Sequence, residues 1–288
     1  MKKYDDLNKF VKHLSRFVSF FVFLILSFIV LYVLIESVPF IRSEFSRSFV
    51  SLSWRPLSTP PSFGILPMLL GTLYVAIFAS LIAFPVAVGC AGAISSCFTG
   101  KTKHMLLGLI DMLAGIPSVV YGLLGFYILV KPLEKTALMA TGESILAAII
   151  TLALMIVPYM VSAFAKAFER TNENYQMSAK ALGVSQWYSL THLSLAHCKL
   201  DLLSGFLVAL SKALGETMAV MMVIGNSPLL PKLLGKGITI SSLIALEMGS
   251  AKLGSLHYHA LYTAGMLLLV LLLSINGLVR LIERRAKK

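Results

Sequence analysis

Long apolar runs separated by short polar stretches dominate the pattern of this chain. A membrane-spanning helix takes roughly 20 predominantly apolar residues, and six runs are long enough. They predict spans at 17–38, 68–97, 105–130, 144–165, 202–224 and 261–282. The pattern therefore predicts an all-α polytopic membrane protein with six transmembrane helices.

The polar segments between these runs predict how the chain is organised. Residues 1–16 form a basic tail, 17–38 the first span and 39–67 a proline-rich loop. Residues 68–282 form a five-helix core that contains a long polar segment at 166–199, and 283–288 form a second basic tail. In the 39–67 loop, we expect Trp54 to anchor at the membrane interface, where tryptophan is enriched.

The distribution of the cationic residues predicts the orientation in the membrane. Of 25 Lys and Arg residues, 16 fall in the tails, the 98–104 loop and the 166–199 segment, and 8 fall in the remaining loops. Because Lys and Arg accumulate in cytoplasmic loops, we expect both termini and residues 166–199 in the cytoplasm. Loops 39–66 and 225–256 are then external. The membrane topology explains the excess of Lys and Arg over Asp and Glu, so we expect no nucleic-acid partner.

Motifs for enzymatic chemistry are absent from the sequence. There is no phosphate-binding loop, because Gly235-Lys236-Gly237 lacks the Ser/Thr and the upstream spacing that such a loop requires. There is no HExxH or GxSxG motif, and His257-x-His259 lacks a third metal ligand. We therefore expect no catalytic residue, no cofactor, no metal and no ATPase site in this chain.

Several proline and glycine residues lie within the predicted spans. Pro85, Pro117 and Pro158 each remove a backbone hydrogen bond and are expected to kink their helices. Gly108, Gly115 and Gly122 recur every seven residues in the third span. This spacing predicts one glycine face, with Pro117 beside it, against which another helix packs closely.

Residues 166–199 have the pattern of a compact helix–glycine–helix unit on the protein surface, here called the knob. Ala179, Ala181 and Leu182 suit a short helix, and Gly183 is a ready C-terminal stop in the left-handed conformation. A second helical turn carries Leu193 and Leu195. A helix–glycine–helix unit at the membrane surface predicts a docking site for a partner.

Two ionisable residues interrupt the fifth span. Lys212 and Glu216 are four residues apart, which places them on one helical face, and Thr217 follows. Charged side chains near the middle of a membrane span face the interior of the protein, where they find partners. Two interpretations stay open, a structural ion pair between helices and a polar path for an anion.

Three stretches carry a resemblance to a known family. Gly183 and Leu193-x-Leu195 have the spacing of the coupling loop of ABC importer permeases, although Ala196 stands where proline is usual. Residues 113–122, LAGIPSVVYG, resemble a segment of phosphate-specific ABC permeases. Residues 215–226, GETMAV followed by IGN, are similar to the PstC-type subunit of phosphate importers.

This resemblance implies a type I ABC importer fold in the cell inner membrane and a permease subunit for phosphate. It implies as partners a PstA-type permease subunit, a dimer of ATP-binding cassette ATPases, an external phosphate-binding protein and membrane lipid. It also implies that Lys212 occupies the position where the family usually has arginine. Alternatives are a permease for another oxyanion or a phosphonate, and, in other classes, a polytopic membrane enzyme or a stand-alone carrier.

Overall fold

The computed structural model describes residues 2–44, 47–48, 51–135 and 141–286, with side chains except at 2–10, 172–181, 186 and 286. The longer helices are α1 (Lys2–Ser43), α2 (Leu66–Cys97), α3 (Gly100–Ala114), α4 (Ser118–Gly125), α6 (Ile145–Ala181), α9 (Lys199–Leu214), α11 (Ile240–Glu247) and α12 (Leu256–Ala286). Shorter elements are β1 (Trp54–Arg55), β2 (Ser62–Phe63), α5 (Lys131–Glu134), α7 (Gln186–Tyr188), α8 (Leu195–His197) and α10 (Met218–Met221). Phe126–Val130 and Ser189–Ser194 are π-helical.

Within the described residues, four helices are long and apolar enough to cross a membrane, and two bent helix pairs raise this number to six if each pair is one span. The bent pairs are Gly100–Ala114 with Ser118–Glu134, at 82°, and Ser189–His197 with Lys199–Leu214, at 69°. The 82° bend lies inside the third predicted span, whereas the 69° bend lies at residue 198, before the fifth predicted span. The fifth span is interrupted further along, because α9 ends at Leu214 and α10 begins only at Met218.

The main core forms where α2 packs along α6. Small residues of α2 repeat every three or four positions on one face and are fully buried: Ala76, Ala79, Ala83, Ala87 and Ala91. This spacing is that of one helical stripe, and its small side chains let α6 approach closely. α6 fills the contact with large buried residues such as Ile156, Phe164 and Phe168.

A second, smaller core joins the 39–67 loop to the last helix. Strands β1 and β2 pair antiparallel, with Trp54 opposite Phe63. The Trp54 side chain is 5% exposed, and its Nε1 donates to Glu247 Oε2 at 2.9 Å. The prediction that Trp54 anchors at the membrane interface is therefore wrong, because α11 supplies a carboxylate that satisfies the indole inside the protein.

The two histidines of the 257–259 segment stabilise this second core. His257 Nε2 lies 2.8 Å from Glu247 Oε2, and His259 Nδ1 lies 3.3 Å from Glu36 Oε2. These pairs connect α12 to α11 and to α1. Within the described residues, no cluster of three or more His, Cys, Asp or Glu side chains could hold a metal ion.

Helix α1 extends beyond the predicted first span, 17–38, at both ends. None of the residues in its most apolar 18-residue window is buried inside the isolated chain. Towards its C-terminal end it contacts α12, where the Tyr32 and Tyr258 hydroxyls are 3.1 Å apart.

The structure answers one of the three proline predictions and corrects the glycine prediction. Pro85 and Pro158 lie inside the helices α2 and α6, and the kinks expected there stay predictions. Pro117 alone of the three is at a break, directly before α4. Because this break bends the third span by 82°, Gly108, Gly115 and Gly122 do not share one helical face.

Candidate functional site

Two helix breaks lie near one another in the bundle, because the same side chain of α6 contacts both helix ends. Helix α3 has 15 residues and ends at Ala114, and α9 has 16 residues and ends at Leu214. At a rise of about 1.5 Å per residue each is about 23 Å long, shorter than the roughly 30 Å hydrocarbon thickness of a bilayer. A helix that starts near one membrane surface therefore ends inside the membrane. Gly115 and Gly215 cap the two ends.

Tyr159 of α6 connects these two helix ends. Its hydroxyl donates to the backbone oxygen of Ala114, the last residue of α3. The Nζ of Lys212, in the last turn of α9, lies over the Tyr159 ring at 4.0 Å from its centroid. This is a cation–π contact, and it brings the ammonium group of Lys212 close to the first break.

A second tyrosine bonds to another carbonyl at the first break, one that also accepts from the backbone N–H of Ile116 at 3.2 Å. The Tyr121 hydroxyl donates to the backbone oxygen of Leu113 at 3.0 Å. The last carbonyls of a helix have no partner within the helix, so these two hydroxyls stabilise an end that lies inside the membrane. Nearby, the Ser162 hydroxyl donates to the carboxylate of Asp111.

The predicted arrangement of Lys212 and Glu216 on one helical face is wrong. Helix α9 ends at Leu214, so Glu216 lies in the break. Its Oε1 accepts a hydrogen bond from the backbone N–H of Ala219 at 3.3 Å, which places the carboxylate at the start of α10. Within the described part of the chain, no ion pair joins Lys212 to Glu216.

The segment around the second break is held by hydrogen bonds that polar side chains donate to backbone carbonyls. The Ser241 hydroxyl donates to the Glu216 carbonyl at 2.8 Å, and Thr217 Oγ1 donates to the Gly215 carbonyl at 3.4 Å. Helix α10 then ends in a turn where Asn226 has φ +45° and donates its side-chain amide to Met221 O at 2.8 Å. The predicted site residue Thr217 therefore has a local partner at the break.

Of the three glycines predicted to pack, Gly122 has close contacts. A Cβ at Gly122 would lie 2.8 Å from Met222 Sδ and 3.0 Å from Ala219 Cα. This close approach packs α10 against α4, so that the two short helices after the breaks contact each other. A Cβ at Gly108 would meet nothing within 4 Å, and one at Gly115 would meet its own helix end.

The knob predicted at 166–199 is the end of a long helix. Helix α6 continues to Ala181, rather than ending near 165 and starting again. Gly183 has φ +68°, which confirms the predicted left-handed stop. The Leu182 side chain is 80% exposed and Trp187 is 73% exposed. The side chains of Ala179 and Ala181 lie outside those described.

The second half of the knob is fixed to the bundle. Leu190 is buried, and its Cδ2 would lie 3.2 Å from a Cβ at Gly92 of α2. Leu193 is half-buried, and Leu195 is half-buried against the main core. The knob therefore presents Leu182 and Trp187 outwards, while Leu190 and Leu195 hold it in place.

Sequence reasoning missed Tyr159 and Ser241. A signal for Tyr159 exists, because its hydroxyl lies in an apolar run directly after Pro158 and needs a partner. No signal pointed to Ser241, whose contact with Glu216 joins residues 25 positions apart.

The chain is similar to permease proteins along most of its length. A family profile described as binding-protein-dependent transport system inner membrane component matches residues 83–288. The probable ABC transporter permease protein YqgH of Bacillus subtilis is 32% identical, over 82% of this chain and 77% of that protein. The probable phosphate transport system permease protein PstC of Methanocaldococcus jannaschii is 31% identical, over 94% of each chain.

Solved structures agree on the fold. An inward-facing structure of the MetNI methionine ABC transporter superposes with a TM-score of 0.58 and 15% identity, covering 76% of this chain and 94% of that chain. This confirms the predicted all-α fold of a type I ABC importer permease. The chain belongs to the family of binding-protein-dependent transport system inner membrane components, as a membrane-embedded permease subunit.

Proposed function

We propose that this chain is the PstC-type permease subunit of an ATP-driven phosphate importer and forms half of the translocation pathway. The names of its relatives from Methanocaldococcus jannaschii and Haemophilus influenzae, both phosphate transport system permease proteins, support phosphate as the substrate. The observation that carries the proposal is the position of the Lys212 ammonium on the Tyr159 ring, beside two helix breaks.

A cation held by an aromatic ring suits a path for an anion. A carboxylate partner would neutralise the lysine, whereas a ring face attracts the ammonium and leaves its net charge in place. Lys212 is then available to offset part of the charge of phosphate inside the membrane. Glu216 and Thr217 support the path by fixing the break and the start of α10.

A second permease subunit completes the site. The Lys212 side chain is exposed at the surface of the isolated chain. A charge at this depth is tolerated only where it lines a polar cavity or faces protein. A PstA-type subunit that covers this surface would close the pathway between the two chains.

ATP hydrolysis takes place in a partner and couples through the knob. The exposed Leu182 and Trp187, next to the left-handed Gly183, offer a compact apolar contact for an ATP-binding cassette dimer. Ala179 and Ala181 belong to the same proposed contact, and Leu193 and Leu195 hold its second half in position. The external phosphate-binding protein docks at the opposite side, and both termini lie in the cytoplasm.

The test is phosphate uptake into vesicles that contain the purified complex of both permease subunits and the ATPase. The proposal predicts that uptake of labelled phosphate needs ATP and the loaded binding protein. Unlabelled phosphate should compete with this uptake, whereas sulfate, molybdate and a phosphonate should not. Preferential uptake of another oxyanion would contradict the substrate assignment. Uptake by this chain without an ATPase would indicate a stand-alone carrier.

A further inference from the structure

A charged cleft outside the proposed pathway lies between three helices. It has a volume of about 500 Å³ and lies where α6, α9 and the last turns of α12 come together. Volumes of this size are typical of small-molecule sites. Its apolar lining includes Ala163, Gly205 and Val208, and its polar lining consists of Ser204 and four ionisable side chains.

The charges in the cleft are separated by sign. Lys166 and Arg170 come from α6, whereas Asp201 comes from α9 and Glu283 from α12. The two cations are one helical turn apart, a spacing at which like charges repel. The cleft therefore has a positive side on one helix and a negative side on two others.

These four charges do not neutralise each other in the structure. Among the described side chains, every ion pair within 4.0 Å involves other residues. The buried Ser204 donates its hydroxyl to Glu283 Oε1 at 3.3 Å, which orients that carboxylate. A ligand that carries both signs of charge would satisfy the two sides together.

The depth of the cleft indicates the source of such a ligand. Asp201 is in the first turn of α9, and Glu283 is in the last turn of α12. The ends of membrane-spanning helices lie at the level of lipid headgroups. Apolar residues beside the charges, such as Val208, which is 50% exposed, suit the first carbons of an acyl chain.

We propose that this cleft binds a phospholipid whose headgroup carries a primary amine, phosphatidylethanolamine. Lys166 and Arg170 bind the phosphate, and Asp201 and Glu283 accept hydrogen bonds from the ammonium group. A choline headgroup has no N–H to donate, and an anionic glycerol headgroup offers the two carboxylates no cation. The proposal concerns a lipid site that does not depend on the substrate of the transporter.

The experiment measures the lipid that stays bound to the complete permease–ATPase complex. The complex is incorporated into nanodiscs with equal amounts of phosphatidylethanolamine, phosphatidylcholine and phosphatidylglycerol. The complex is then released from the nanodiscs, and the lipid that stays bound to it is identified by native mass spectrometry. We expect phosphatidylethanolamine to be enriched about tenfold, as charge-assisted hydrogen bonds imply. Equal retention of the three lipids would overturn the proposal.

Charge variants locate the binding to the cleft. The double variant Asp201→Asn with Glu283→Gln should lose the preference for the amine while it still retains phospholipid. Lys166→Gln with Arg170→Gln should lose retention of all three. The matched control, Arg284→Gln with Arg285→Gln, removes two cations from the same end of α12 but not from the cleft, and should behave as wild type. An unchanged preference in the carboxylate variant would overturn the proposal.

A competition on the wild-type complex keeps the test decisive if a variant fails to assemble. Soluble glycerophosphoethanolamine carries the same headgroup without acyl chains. It should displace the lipid only at a large excess, because it lacks the apolar contact. Displacement at equal concentration would contradict the assignment to a lipid and indicate a soluble phosphoethanolamine ligand.

Discussion

Tyr159 stabilises two different groups at the residue scale, and substitutions can separate them. Tyr159→Phe keeps the ring under Lys212 and loses the hydroxyl that bonds to Ala114 O. We expect it to cost about 1 kcal/mol of stability and to retain most of the uptake. Tyr159→Leu also loses the ring and should reduce uptake severalfold further, since a cation–π contact contributes about 0.5–2 kcal/mol.

The matched control for Tyr159 is Tyr121→Phe, which loses a similar hydroxyl bond to Leu113 O away from the lysine. Uptake of phosphate and thermal unfolding of the complex are measured for all three variants. Equal uptake by Tyr159→Phe and Tyr159→Leu would show that the ring has no role in holding Lys212.

Single residues show both what the sequence could predict and what it could not. The positive φ of Gly183 was predictable because a helix end followed by glycine is a local pattern. The burial of Trp54 was not, because its hydrogen-bond partner Glu247 lies 193 residues away. The Glu216 carboxylate can accept from the Ala219 N–H because the helix breaks before residue 216. The i, i+4 spacing of Lys212 and Glu216 gives no sign of this break.

At the scale of elements, Gly183 ends α6 and sets the direction of the knob. Gly183→Val introduces a β-branched residue at φ +68°, where an added Cβ meets nothing within 4 Å. Its effect is therefore backbone strain alone, about 1–2 kcal/mol. We expect normal membrane insertion and reduced co-purification of the ATPase.

A matched control for this strain exists in the loop before α12. Gly254 has φ +72°, and a Cβ there also meets nothing within 4 Å. Gly254→Val should cause similar local strain without any effect on ATPase binding. A similar loss of ATPase in both variants would mean that general destabilisation, and not the knob, explains the result.

The contact between α4 and α10 gives a second prediction about elements. Gly122→Ala places a Cβ 3.0 Å from Ala219 Cα, so α10 has to shift. We expect a lower melting temperature and lower uptake. Gly108→Ala adds a Cβ in open space on α3 and should be neutral or stabilising by about 0.5–1 kcal/mol. A melting temperature for Gly122→Ala at or above that of Gly108→Ala would contradict this packing.

The helix breaks explain why hydropathy predicted the spans but not their shape. Residues 105–130 and 202–224 are apolar enough to be counted as single spans. Their breaks depend on Gly115 with Pro117 and on Gly215, and on tertiary partners that stabilise free backbone groups inside the membrane. Tyr159, on another helix, supplies one such partner, and no local sequence pattern predicts this contact.

At the scale of the whole molecule, the cation distribution predicts which ends of the helices face the cytoplasm. In a variant without native cysteines, a single cysteine at exposed Leu57 should react with an impermeant maleimide added to intact cells. A cysteine at exposed Ser185 should react only after the membrane is opened. Labelling of position 185 from outside would contradict the proposed orientation.

Phosphate uptake by the reconstituted complex, compared between Lys212→Gln and Glu216→Gln, tests the role of Lys212 most directly. Lys212→Gln removes the positive charge and should reduce uptake by at least about tenfold, while the complex still assembles and hydrolyses ATP. Glu216→Gln keeps an oxygen that can accept from the Ala219 N–H and should stay close to wild type. Uptake by Lys212→Gln at the wild-type rate would contradict an anion path at Lys212.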